Sequence, residues 1–471
     1  MRSIINNYIG GQFRPASSDR TAPLHNPATE EQIGTVRLSN TDDVDAAVAA
    51  AKAVWPSFAA TPQDERIAML RRLSSALADS EPELIAAMRA EYGAPIHFTT
   101  FSVRHAGSVF LDMARTVADY PWRQSIGRAQ VEMRPLGVAA AITPWNSSIG
   151  FICAKLAAAV AAGSPIVIKP SELSAIQTEV LAQALHKAGL PAGVLNIVNG
   201  DGAVAGAALA AHPDVAKVSF TGSTATGRAI LRAGAQTMKR VTLELGGKGA
   251  QIILDDADLD RVAGMVLANG FMNSGQACIA GTRILVSRRR QEDFEQKLVA
   301  ALGAFPVGPA TDPDAGIGPM VNRRQWDRVQ SYIALGQAEG ARVLAGGAGR
   351  PEGMERGWFV SPTLFTDVHH DMRIAREEIF GPVLCIIAYE DDAEAIRIAN
   401  DTTYGLQNYV FGGDEDRNRR VAQQLESGRI AVNGAAHEPM APFGGFKQSG
   451  IGREFGAYGL TAFLEPRVVL S

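Results

Sequence analysis

The chain has 471 residues, of which 46% are hydrophobic and 20% are charged, so it is long enough for two or three domains with sizeable cores. The formal net charge of −4 at pH 7, with lysines and arginines dispersed along the chain, excludes the basic footprint typical of nucleic-acid-binding proteins. The three cysteines, an odd number without CxxC spacing, exclude a disulfide framework and indicate free thiols in a reducing compartment, so we expect a cytoplasmic protein.

Neither a signal peptide nor a membrane span is expected. Residues 1–8 lack an apolar core of the length that a signal peptide needs. The longest apolar stretch, residues 154–168, is interrupted by Lys155, Gly163 and Pro165 and falls short of the ~20 apolar residues that a span needs. We therefore expect a soluble protein.

From Gly137 onward, short β-rich runs alternate with alanine-rich helical stretches, a pattern typical of a parallel α/β sheet. The predicted strands are 138–142, 166–169, 194–198, 216–220 and 241–244, and the predicted helices are 150–162, 176–188, 203–211 and one that opens at Gly222. Five such strands with right-handed crossovers predict a doubly wound, Rossmann-like sheet.

A second alternating block follows Gly247, and we place a domain boundary near Gly246-Gly247. This block contains predicted strands at 251–254, 283–286, 383–387 and 430–433 and a long predicted helix at 259–273. The glycine-rich stretch 346–353 is a loop by composition.

A carboxylate and a thiol, each in a glycine-rich turn, are the strongest candidates for chemistry. Glu244 lies in Glu244-Leu245-Gly246-Gly247-Lys248 and Cys278 in Gly275-Gln276-Ala277-Cys278. A thiol can attack a carbonyl carbon to form a covalent intermediate, and a nearby carboxylate can activate the water that cleaves it. The pair indicates two-step acyl chemistry.

Other catalytic classes lack their motifs. The eight histidines include no HExxH or Cys/His cluster, and the His369-His370 pair lacks further ligands at the usual intervals, so no metal site is expected. Neither a GxSxG elbow nor a P-loop occurs, and a GxGxxG dinucleotide fingerprint is missing. The turn at 220–228, however, leaves a strand and opens a helix, where backbone N–H groups and the helix dipole can hold a pyrophosphate.

Seven motifs stand in the order and with the spacing of one family. They are Ile142-Thr143-Pro144-Trp145-Asn146, Lys169-Pro170-Ser171-Glu172, Phe220-Thr221-Gly222-Ser223, Glu244-Leu245-Gly246-Gly247-Lys248, Gly275-Gln276-Ala277-Cys278, Glu377-Glu378-Ile379-Phe380-Gly381-Pro382 and Pro442-Phe443-Gly444-Gly445-Phe446-Lys447. Through them, essentially the whole chain resembles the aldehyde dehydrogenases. The resemblance implies an α/β protein with a Rossmann-like cofactor domain, an α/β catalytic domain and a small β oligomerisation element.

The resemblance also implies domain boundaries. The NAD-binding domain would comprise residues 1–116 and 136–246, the catalytic domain residues 247–455, and the oligomerisation element residues 117–135 and 456–471. The apolar end of the last segment suits a strand added to a neighbouring subunit's sheet edge. Members of the family are dimers or tetramers, so we expect a homodimer or a homotetramer.

By resemblance, Cys278 would attack the aldehyde carbon, and the oxyanion would be stabilised by the Asn146 side-chain amide and the Cys278 backbone N–H. Hydride transfer to NAD would leave a thioester on Cys278, which Glu244 would hydrolyse as general base. Lys155 and Glu454 match family positions thought to pass the Glu244 proton toward solvent. An aldehyde would thus be oxidised to a carboxylic acid.

The cofactor implied by the resemblance is NAD, with NADP less favoured. Glu172 would accept hydrogen bonds from the adenosine ribose and repel a 2′-phosphate, and Lys169 would reach the same ribose. Glu378 and Phe380 would hold the nicotinamide ribose and ring. The remaining cofactor positions are Thr143, Trp145, Ser171, Gly222, Ser223 and Gly246.

The substrate side departs from the usual family pattern. Ser147 and Ser148 follow Asn146 where an aromatic residue and a proline are frequent, and Ala154 stands where a tryptophan is common. We therefore expect a roomy entrance and a medium-to-large aliphatic or ω-oxo aldehyde. The predicted substrate contacts are Phe151, Ile279, His437 and Phe443. No arginine is evident at these positions, so strict recognition of a short semialdehyde carboxylate is not expected, although a loop could supply an arginine.

Two other functions remain as alternatives. One is a CoA-acylating aldehyde dehydrogenase, in which the position of Glu244 is usually not acidic. The other is a non-catalytic binding or structural member of the fold, which would be free to lose Cys278, Glu244 or Asn146. The presence of all three residues argues against both.

Overall fold

The computed structural model describes residues 1–470, so Ser471 of the predicted oligomerisation segment lies outside the described residues. The first elements are β1 (Arg2–Ile4), β2 (Asn6–Ile9), β3 (Gln12–Pro15), β4 (Thr21–His25), β5 (Gln32–Arg37), α1 (Thr41–Ala59), α2 (Gln63–Asp79), α3 (Glu81–Glu91) and α4 (Ile96–Asp119). Helix α1 begins with a capping box. The side chain of Asn40 accepts the N–H of Asp43, and the Asp43 carboxylate accepts the N–H of Asn40.

The next elements confirm the predicted alternation of strands and helices. They are β6 (Arg123–Ile126), β7 (Ala129–Pro135), β8 (Ala139–Ile142), α5 (Ser148–Ala162), β9 (Ile166–Lys169), α6 (Ala175–Lys187), β10 (Leu195–Ile197), α7 (Ala207–Ala211), β11 (Lys217–Thr221), α8 (Thr224–Ala235) and β12 (Arg240–Glu244). The predicted helix at 203–211 is only partly α-helical, because Gly202–Gly206 forms a π-helical turn that runs into α7.

The remaining elements are β13 (Ala250–Ile253), α9 (Leu259–Gly270), β14 (Arg283–Ser287), α10 (Gln291–Ala301), α11 (Arg323–Ala338), β15 (Arg342–Ala345), β16 (Thr363–Thr366), α12 (Arg373–Arg376), β17 (Val383–Tyr389), α13 (Asp392–Asn400), β18 (Gln407–Phe411), α14 (Glu415–Ala422), β19 (Arg429–Val432), β20 (Gly450–Ile451), α15 (Gly456–Thr461) and β21 (Leu464–Leu470). The predicted helix 259–273 is too long. Helix α9 ends at Gly270, and a short 3-10 segment follows in which Asn273 and Ser274 take left-handed φ angles of 53° and 59°. The stretch 346–353 is a loop, as predicted.

The first large sheet has eight strands in the order β20-β12-β11-β8-β9-β10-β2-β3. The five predicted strands, β8 to β12, are parallel, while β2, β3 and β20 are antiparallel additions. The chain moves outward from β8 through β9 to β10 and then crosses back to β11, so the strand order reverses between β8 and β11. Ligands of open α/β sheets bind at such a switch point, beyond the carboxyl ends of the strands.

Helices cover both faces of this sheet because the side chains of each strand alternate between two cores. Ile166 and Ile168 of β9 belong to the core that contains residues of α2, α4, α5 and α6, whereas Val167 belongs to the core beneath α1, α7 and α8. The sheet is therefore buried on both sides. The carboxyl edge of the sheet is therefore the part that can hold a ligand-binding or catalytic site.

The second large sheet has seven strands in the order β15-β16-β17-β14-β13-β18-β19, all parallel except β15. The chain enters it directly from the first sheet, since only residues 245–249 separate β12 from β13. The carboxyl end of β12 therefore faces the amino ends of β13 and its neighbours. This short connection places the two halves of the site opposite each other.

The third sheet joins two segments distant in sequence. Strand β21 pairs antiparallel with β7, which pairs with β6. The predicted oligomerisation segments extend beyond this sheet, since residues 117–119 are the last turn of α4 and residues 456–461 form α15. Within the predicted catalytic segment, β20 joins the first sheet through β12. No helix among residues 1–470 combines the length and apolar character needed to cross a membrane.

Candidate active site

The carboxyl edge of the first sheet carries the predicted cofactor residues. Thr143 follows β8 and Gly222 follows β11, on the two sides of the switch point. The N–H of Thr143 donates to the carbonyl of Lys169 at 3.1 Å, and that of Gly222 to the carbonyl of Glu244 at 3.0 Å. Among residues 1–470, the buried hydroxyls of Thr143 and Thr221 have no hydrogen-bond partner, so this edge has unused polar atoms for a ligand.

The two turns beyond β9 and β11 are held by serine caps. The Ser171 hydroxyl accepts the N–H of Leu173 at 3.2 Å, and the Ser223 hydroxyl accepts the N–H of Thr226 at 3.3 Å at the start of α8. The N-terminus of α8 therefore points its remaining N–H groups at the switch point, as expected for an anion site.

Lys169 and Glu172 form a charged pair beside this edge. The buried Lys169 Nζ donates to the Gly200 carbonyl at 2.9 Å and lies 3.8 Å from Glu172 Oε2. Burial lowers the pKa of Lys169, whereas the charges of Glu172 and Asp201 act in the opposite direction. The Glu172 carboxylate is partly exposed and has capacity to accept hydrogen bonds from a hydroxylated ligand.

Glu378, Phe380 and Trp145 lie on the other side of the crevice. The Glu378 carboxylate accepts the Gly247 N–H at 3.0 Å, and burial raises the pKa of this carboxyl to about 7. A Cβ at Gly246 would lie 2.4 Å from the same carboxylate, so a larger residue there would displace Glu378. The rings of Phe380 and Trp145 are perpendicular, with their centroids 5.5 Å apart.

A tight turn positions Cys278. Three consecutive residues, Asn273, Ser274 and Gly275, have positive φ angles of 53°, 59° and 73°, which reverses the chain after α9. A Cβ at Gly275 would lie 2.2 Å from the Gly381 carbonyl oxygen, so the turn needs glycine at that position. Cys278 then lies on the loop between this turn and β14.

Buried hydrogen bonds attach Asn146 to the Cys278 loop. The Asn146 amide donates to the Gln276 carbonyl at 2.9 Å, and Asn273 donates to the Asn146 carbonyl at 2.8 Å. The Tyr92 hydroxyl donates to Asn273 Oδ1 at 2.9 Å. Because an amide has two N–H donors and only one is used within residues 1–470, Asn146 can offer the second to a ligand beside Cys278.

The charges around Cys278 favour the protonated thiol. Its pKa is raised to about 12, first by burial and then by the negative charges of Glu378 and Glu244. The N–H groups of Cys278 and Ile279 point at the sulfur and lower the pKa. The protein alone therefore holds little thiolate at neutral pH.

Glu244 ends β12 and is buried, and neither of its carboxyl oxygens has a hydrogen-bond partner among residues 1–470. Burial raises the pKa of Glu244 well above its ordinary value, the charge of Glu454 raises it further, and Lys155 and Arg453 lower it. A carboxyl group with a raised pKa and free acceptor positions is suited to general-base chemistry.

Lys155 and Glu454 form a buried ion pair behind Glu244. Lys155 also donates to the Ser219 hydroxyl at 3.0 Å, and that hydroxyl donates to Glu454 Oε1 at 3.1 Å. These three side chains line a cavity of about 20 Å³, which has room for one water molecule. The predicted pair is therefore in direct contact, next to a possible water site.

Three of the four predicted substrate residues contact Tyr409 or Arg429, two residues that were not predicted to belong to the site. Ile279 follows Cys278, and its carbonyl accepts the Tyr409 hydroxyl at 2.7 Å. His437 and Phe443 both contact Arg429, the first through a 2.8 Å hydrogen bond and the second with its ring centroid 5.3 Å from the guanidinium carbon. This arrangement corrects the expectation that no arginine borders these positions.

The fourth predicted substrate residue, Phe151, is half-buried on α5, one turn before Lys155. Tyr92, Asn273 and Arg429 were missed because their roles depend on contacts between distant segments. Among the unpredicted hydrogen-bond partners in the Asn146 network, only Gln276 lies inside one of the seven sequence motifs. The one group of three possible metal ligands among residues 1–470 is His369, His370 and Asp371, which lies on the surface away from this site.

Comparisons with known proteins agree with this geometry. The model of the Aldehyde dehydrogenase family matches residues 13–469. The chain belongs to the aldehyde dehydrogenase family. It is 44% identical over 472 residues to the 3-succinoylsemialdehyde-pyridine dehydrogenase of a Pseudomonas species, covering 100% of this chain and 99% of that relative.

Solved structures of aldehyde dehydrogenases have the same fold. A mutant of aldehyde dehydrogenase C from Pseudomonas syringae, in complex with NAD+ and octanal, superposes with a TM-score of 0.97 at 41% identity, over 99% of this chain and 96% of that one. The Mycobacterium tuberculosis aldehyde dehydrogenase in complex with NAD+ gives a TM-score of 0.96 at 39% identity, over 100% and 98% of the two chains. The predicted fold class is thereby confirmed.

Substitution of Tyr92 tests whether its hydrogen bond stabilises the network around Asn146. In Tyr92→Phe, Asn273 Oδ1 loses its buried donor, which costs about 1–3 kcal/mol of stability. We expect a lower thermal midpoint by calorimetry. The matched control is Tyr458→Phe, because Tyr458 is 63% exposed, and its midpoint should not change. Equal midpoints for both variants would contradict this assignment.

The raised pKa of Cys278 predicts slow alkylation at neutral pH. Since only the thiolate reacts, the iodoacetamide rate of the ligand-free aldehyde dehydrogenase should rise about tenfold per pH unit from pH 7 to pH 10, without the plateau of an ordinary thiol. Mass spectrometry of the modified peptide gives a clean reading because Cys153 and Cys385 are buried. Glu378→Gln removes one negative charge and should accelerate the reaction at pH 8. A plateau below pH 9 would refute the assigned electrostatics.

Proposed function

We propose that this aldehyde dehydrogenase oxidises an aldehyde to a carboxylic acid with NAD, through a thiohemiacetal and a thioester on Cys278. The observation that carries the proposal is the hydrogen bond from Asn146 to the Cys278 loop, with Glu244 buried and unpaired across the glycine turn. The relatives support it, because one of them was solved with both NAD+ and octanal.

In the first step, the Cys278 thiol loses its proton to water, and the resulting thiolate attacks the aldehyde carbon, so that the carbonyl oxygen becomes an oxyanion. The free N–H of the Asn146 amide stabilises that oxygen, because the other N–H is fixed on the Gln276 carbonyl and sets the direction of the group. Loss of one such donor costs about 2.7–4 kcal/mol in comparable sites. Asn146 therefore acts in catalysis by charge stabilisation.

In the second step, the thiohemiacetal loses hydride and becomes a thioester, which water then cleaves. NAD, when bound, supplies the two-electron oxidant for this step. Glu244 removes a proton from the water, and its raised pKa makes it a stronger base than an ordinary carboxylate. The products are the carboxylate and the free Cys278 thiol, and one proton remains on Glu244.

The proton taken by Glu244 must leave a buried site. The Lys155–Glu454 pair, with Ser219 and the 20 Å³ cavity, offers a chain of exchangeable groups beside it. The charges of Glu454 and Lys155 both act on the pKa of Glu244, which supports their closeness. We propose this pair as the proton exit.

NAD is preferred over NADP because Glu172 places a carboxylate beside Lys169, where a 2′-phosphate would be repelled. The unused hydroxyls of Thr143 and Thr221 and the N-terminus of α8 fit a bound pyrophosphate and ribose. Glu378 and Phe380, with Trp145, would hold the nicotinamide end. Ser171, Ser223, Gly222 and Gly246 would shape the groove.

The substrate is a medium-to-large aliphatic or ω-oxo aldehyde. Ile279, His437 and Phe443 would contact it, with Phe151 on α5 at the same side. The octanal bound to aldehyde dehydrogenase C and the semialdehyde in the name of the Pseudomonas relative are both of this size class. A CoA-acylating reaction is the weaker alternative, because Glu244 would have no role in it.

We propose that the chain consists of a cofactor domain, a catalytic domain and an oligomerisation element. Their boundaries lie near those implied by the resemblance. The short turn 245–249 between the two large sheets supports the middle boundary. A cytoplasmic location is proposed from the three free cysteines.

The decisive experiment measures NADH formation without CoA over aldehydes of increasing chain length. Cys278→Ala should lose turnover by about 10³-fold or more, because no covalent intermediate forms. Glu244→Gln should give a burst of about one NADH per site and then stop, because the thioester persists. Trapping of that thioester by hydroxylamine should restore turnover in Glu244→Gln alone.

Three results would contradict the proposed reaction. Turnover that requires added CoA would favour the acylating alternative. Binding of NAD without turnover of any aldehyde would favour a non-catalytic role. Full turnover in Cys278→Ala would exclude the thiol mechanism.

Strand β21 supports a homodimer or homotetramer. It is an edge strand among residues 1–470, and Val468, Val469 and Leu470 are 56%, 45% and 80% exposed. The double variant Val468→Lys and Leu470→Lys should reduce the mass measured by light scattering toward the 49.9 kDa protomer. Met238→Lys, at a site 82% exposed, is the control and should keep the oligomer. A monomeric wild type would overturn this proposal.

A further inference from the structure

Arg429 is a half-buried cation without an acidic partner. It begins β19, and its Nη2 donates to His437 Nδ1 at 2.8 Å. Its guanidinium carbon lies 5.3 Å from the ring centroid of Phe443. No carboxylate of residues 1–470 lies within ion-pairing distance of it, so most of its five N–H donors are unused.

Several buried or half-buried arginines of this chain donate to oxygen atoms. Arg283 donates to three backbone carbonyls, at 2.9, 2.8 and 2.8 Å. Arg417 pairs with Asp255 and Asp392. Arg429 differs from these two in contacting His437 and Phe443, two of the predicted substrate residues, so its free donors are available there to an anion from outside the chain.

The position of Arg429 is close to the reacting sulfur. Residue 429 lies opposite Gln407 in the register of β18, and Tyr409 of the same strand donates to the carbonyl of Ile279, next to Cys278. Burial lowers the pKa of Arg429, whereas the Tyr409 and Cys278 groups raise it. The guanidinium is therefore within electrostatic reach of the site where the aldehyde reacts.

His437 does not neutralise this charge. Burial lowers the pKa of His437 to about 4, with the positive charges of Arg429 and His105 acting in the same direction, so the imidazole is neutral at pH 7. The neighbouring Glu438 is exposed, and its carboxylate accepts the N–H of Met440 at 3.1 Å. Arg429 keeps its full positive charge.

Aromatic rings surround the path between Arg429 and the surface. The ring of Phe455 lies 6.0 Å from that of Phe443 and 6.1 Å from that of His437, and His105 is 5.9 Å from His437. These rings offer an apolar wall to methylene groups. The site thus combines a thiol, an apolar wall and a single unpaired guanidinium.

We propose that Arg429 binds a carboxylate at the far end of the substrate, so that this enzyme is selective for ω-oxo carboxylic acids. The guanidinium forms paired charge-assisted hydrogen bonds with the two carboxylate oxygens, the methylene chain packs on Phe443 and Phe455, and the aldehyde reaches Cys278. The inference rests on the proposed function and specifies its substrate class. The product is a dicarboxylic acid.

The test compares ω-oxo acids of four to ten carbons with their methyl esters, at constant ionic strength, by NADH formation. The wild type should favour the acid over the ester by about 10–100-fold in kcat/KM, the range of a charge-assisted hydrogen bond, at one optimal chain length. Arg429→Gln should abolish this preference through a higher KM for the acid with little change in kcat. Arg429→Lys should retain part of it.

Arg420→Gln is the matched control, because Arg420 is an exposed arginine of α14, and it should keep the acid preference of the wild type. Inhibition of the wild type by the dicarboxylic acid and by its monoester gives a second measurement that does not depend on the folding of a variant. The dicarboxylic acid should bind more tightly by a similar factor.

The outcomes separate the two proposals. If the wild type oxidises esters and unsubstituted aldehydes as well as it oxidises the acids, the role of Arg429 is overturned while the dehydrogenase function stands. An acid preference that survives in Arg429→Gln also overturns it. If the wild type oxidises no aldehyde with NAD, the proposed function itself fails.

Discussion

The contact between the Gly246-Gly247 turn and the Cys278 loop is the constraint on which the site depends. A Cβ at Gly247 would lie 2.3 Å from the Cys278 carbonyl oxygen, and one at Gly246 would lie 2.4 Å from the Glu378 carboxylate. A side chain at Gly247 would have to displace the backbone of the Cys278 loop, and one at Gly246 would displace the Glu378 carboxylate. Because the turn connects β12 to β13, its close packing brings Glu244, Cys278 and Glu378 into one crevice.

This closeness has an electrostatic consequence. Partial burial, and then the charges of Glu378 and Glu244, raise the pKa of the Cys278 thiol, and burial raises the pKa of each carboxyl as well. The protein alone thus stores a protonated nucleophile and protonatable bases. A cofactor with positive charge would offset these effects, so thiol reactivity would be linked to cofactor binding.

The sequence predicted the parts of the fold that depend on local patterns. The five parallel strands of the first sheet and the glycine turns were predicted because buried strands are continuous β-rich runs and tight turns need glycine. The antiparallel strands β2, β3 and β20 were not predicted, since their place in the sheet is set by pairing across hundreds of residues. The helix after Leu259 was predicted too long because the turn signal of Asn273, a residue type that readily takes left-handed φ, was given too little weight.

The candidate site likewise contains some residues that the sequence predicts and others that it does not. Cys278, Glu244 and Asn146 stand in motifs, so the resemblance was sufficient to select them. Arg429 has no such motif, and its importance follows from the register of β18 with β19 and from the loop that returns to it. A charged residue at the start of an edge strand is usually a solvated one. Its contacts with His437 and Phe443 distinguish it from other arginines that lack an acidic partner.

The segment Phe443-Gly444 lies beside three parts of the proposed site. These are Arg429, proposed to bind the substrate carboxylate, Glu244, the proposed base, and Glu454 of the proposed proton exit. The ring of Phe443 lies under Arg429, and a Cβ at the next residue, Gly444, would lie 2.7 Å from Glu244 Oε1. Phe443 also exchanges two backbone hydrogen bonds with Glu454, at 2.9 and 2.8 Å. A shift of this segment would therefore move the wall of the substrate site, the space around the base and the partner of Lys155 together. Under the proposed mechanism, the substrate range is therefore constrained by the geometry of thioester hydrolysis, and side chains outside the segment, such as Arg429, are the freer means of changing it.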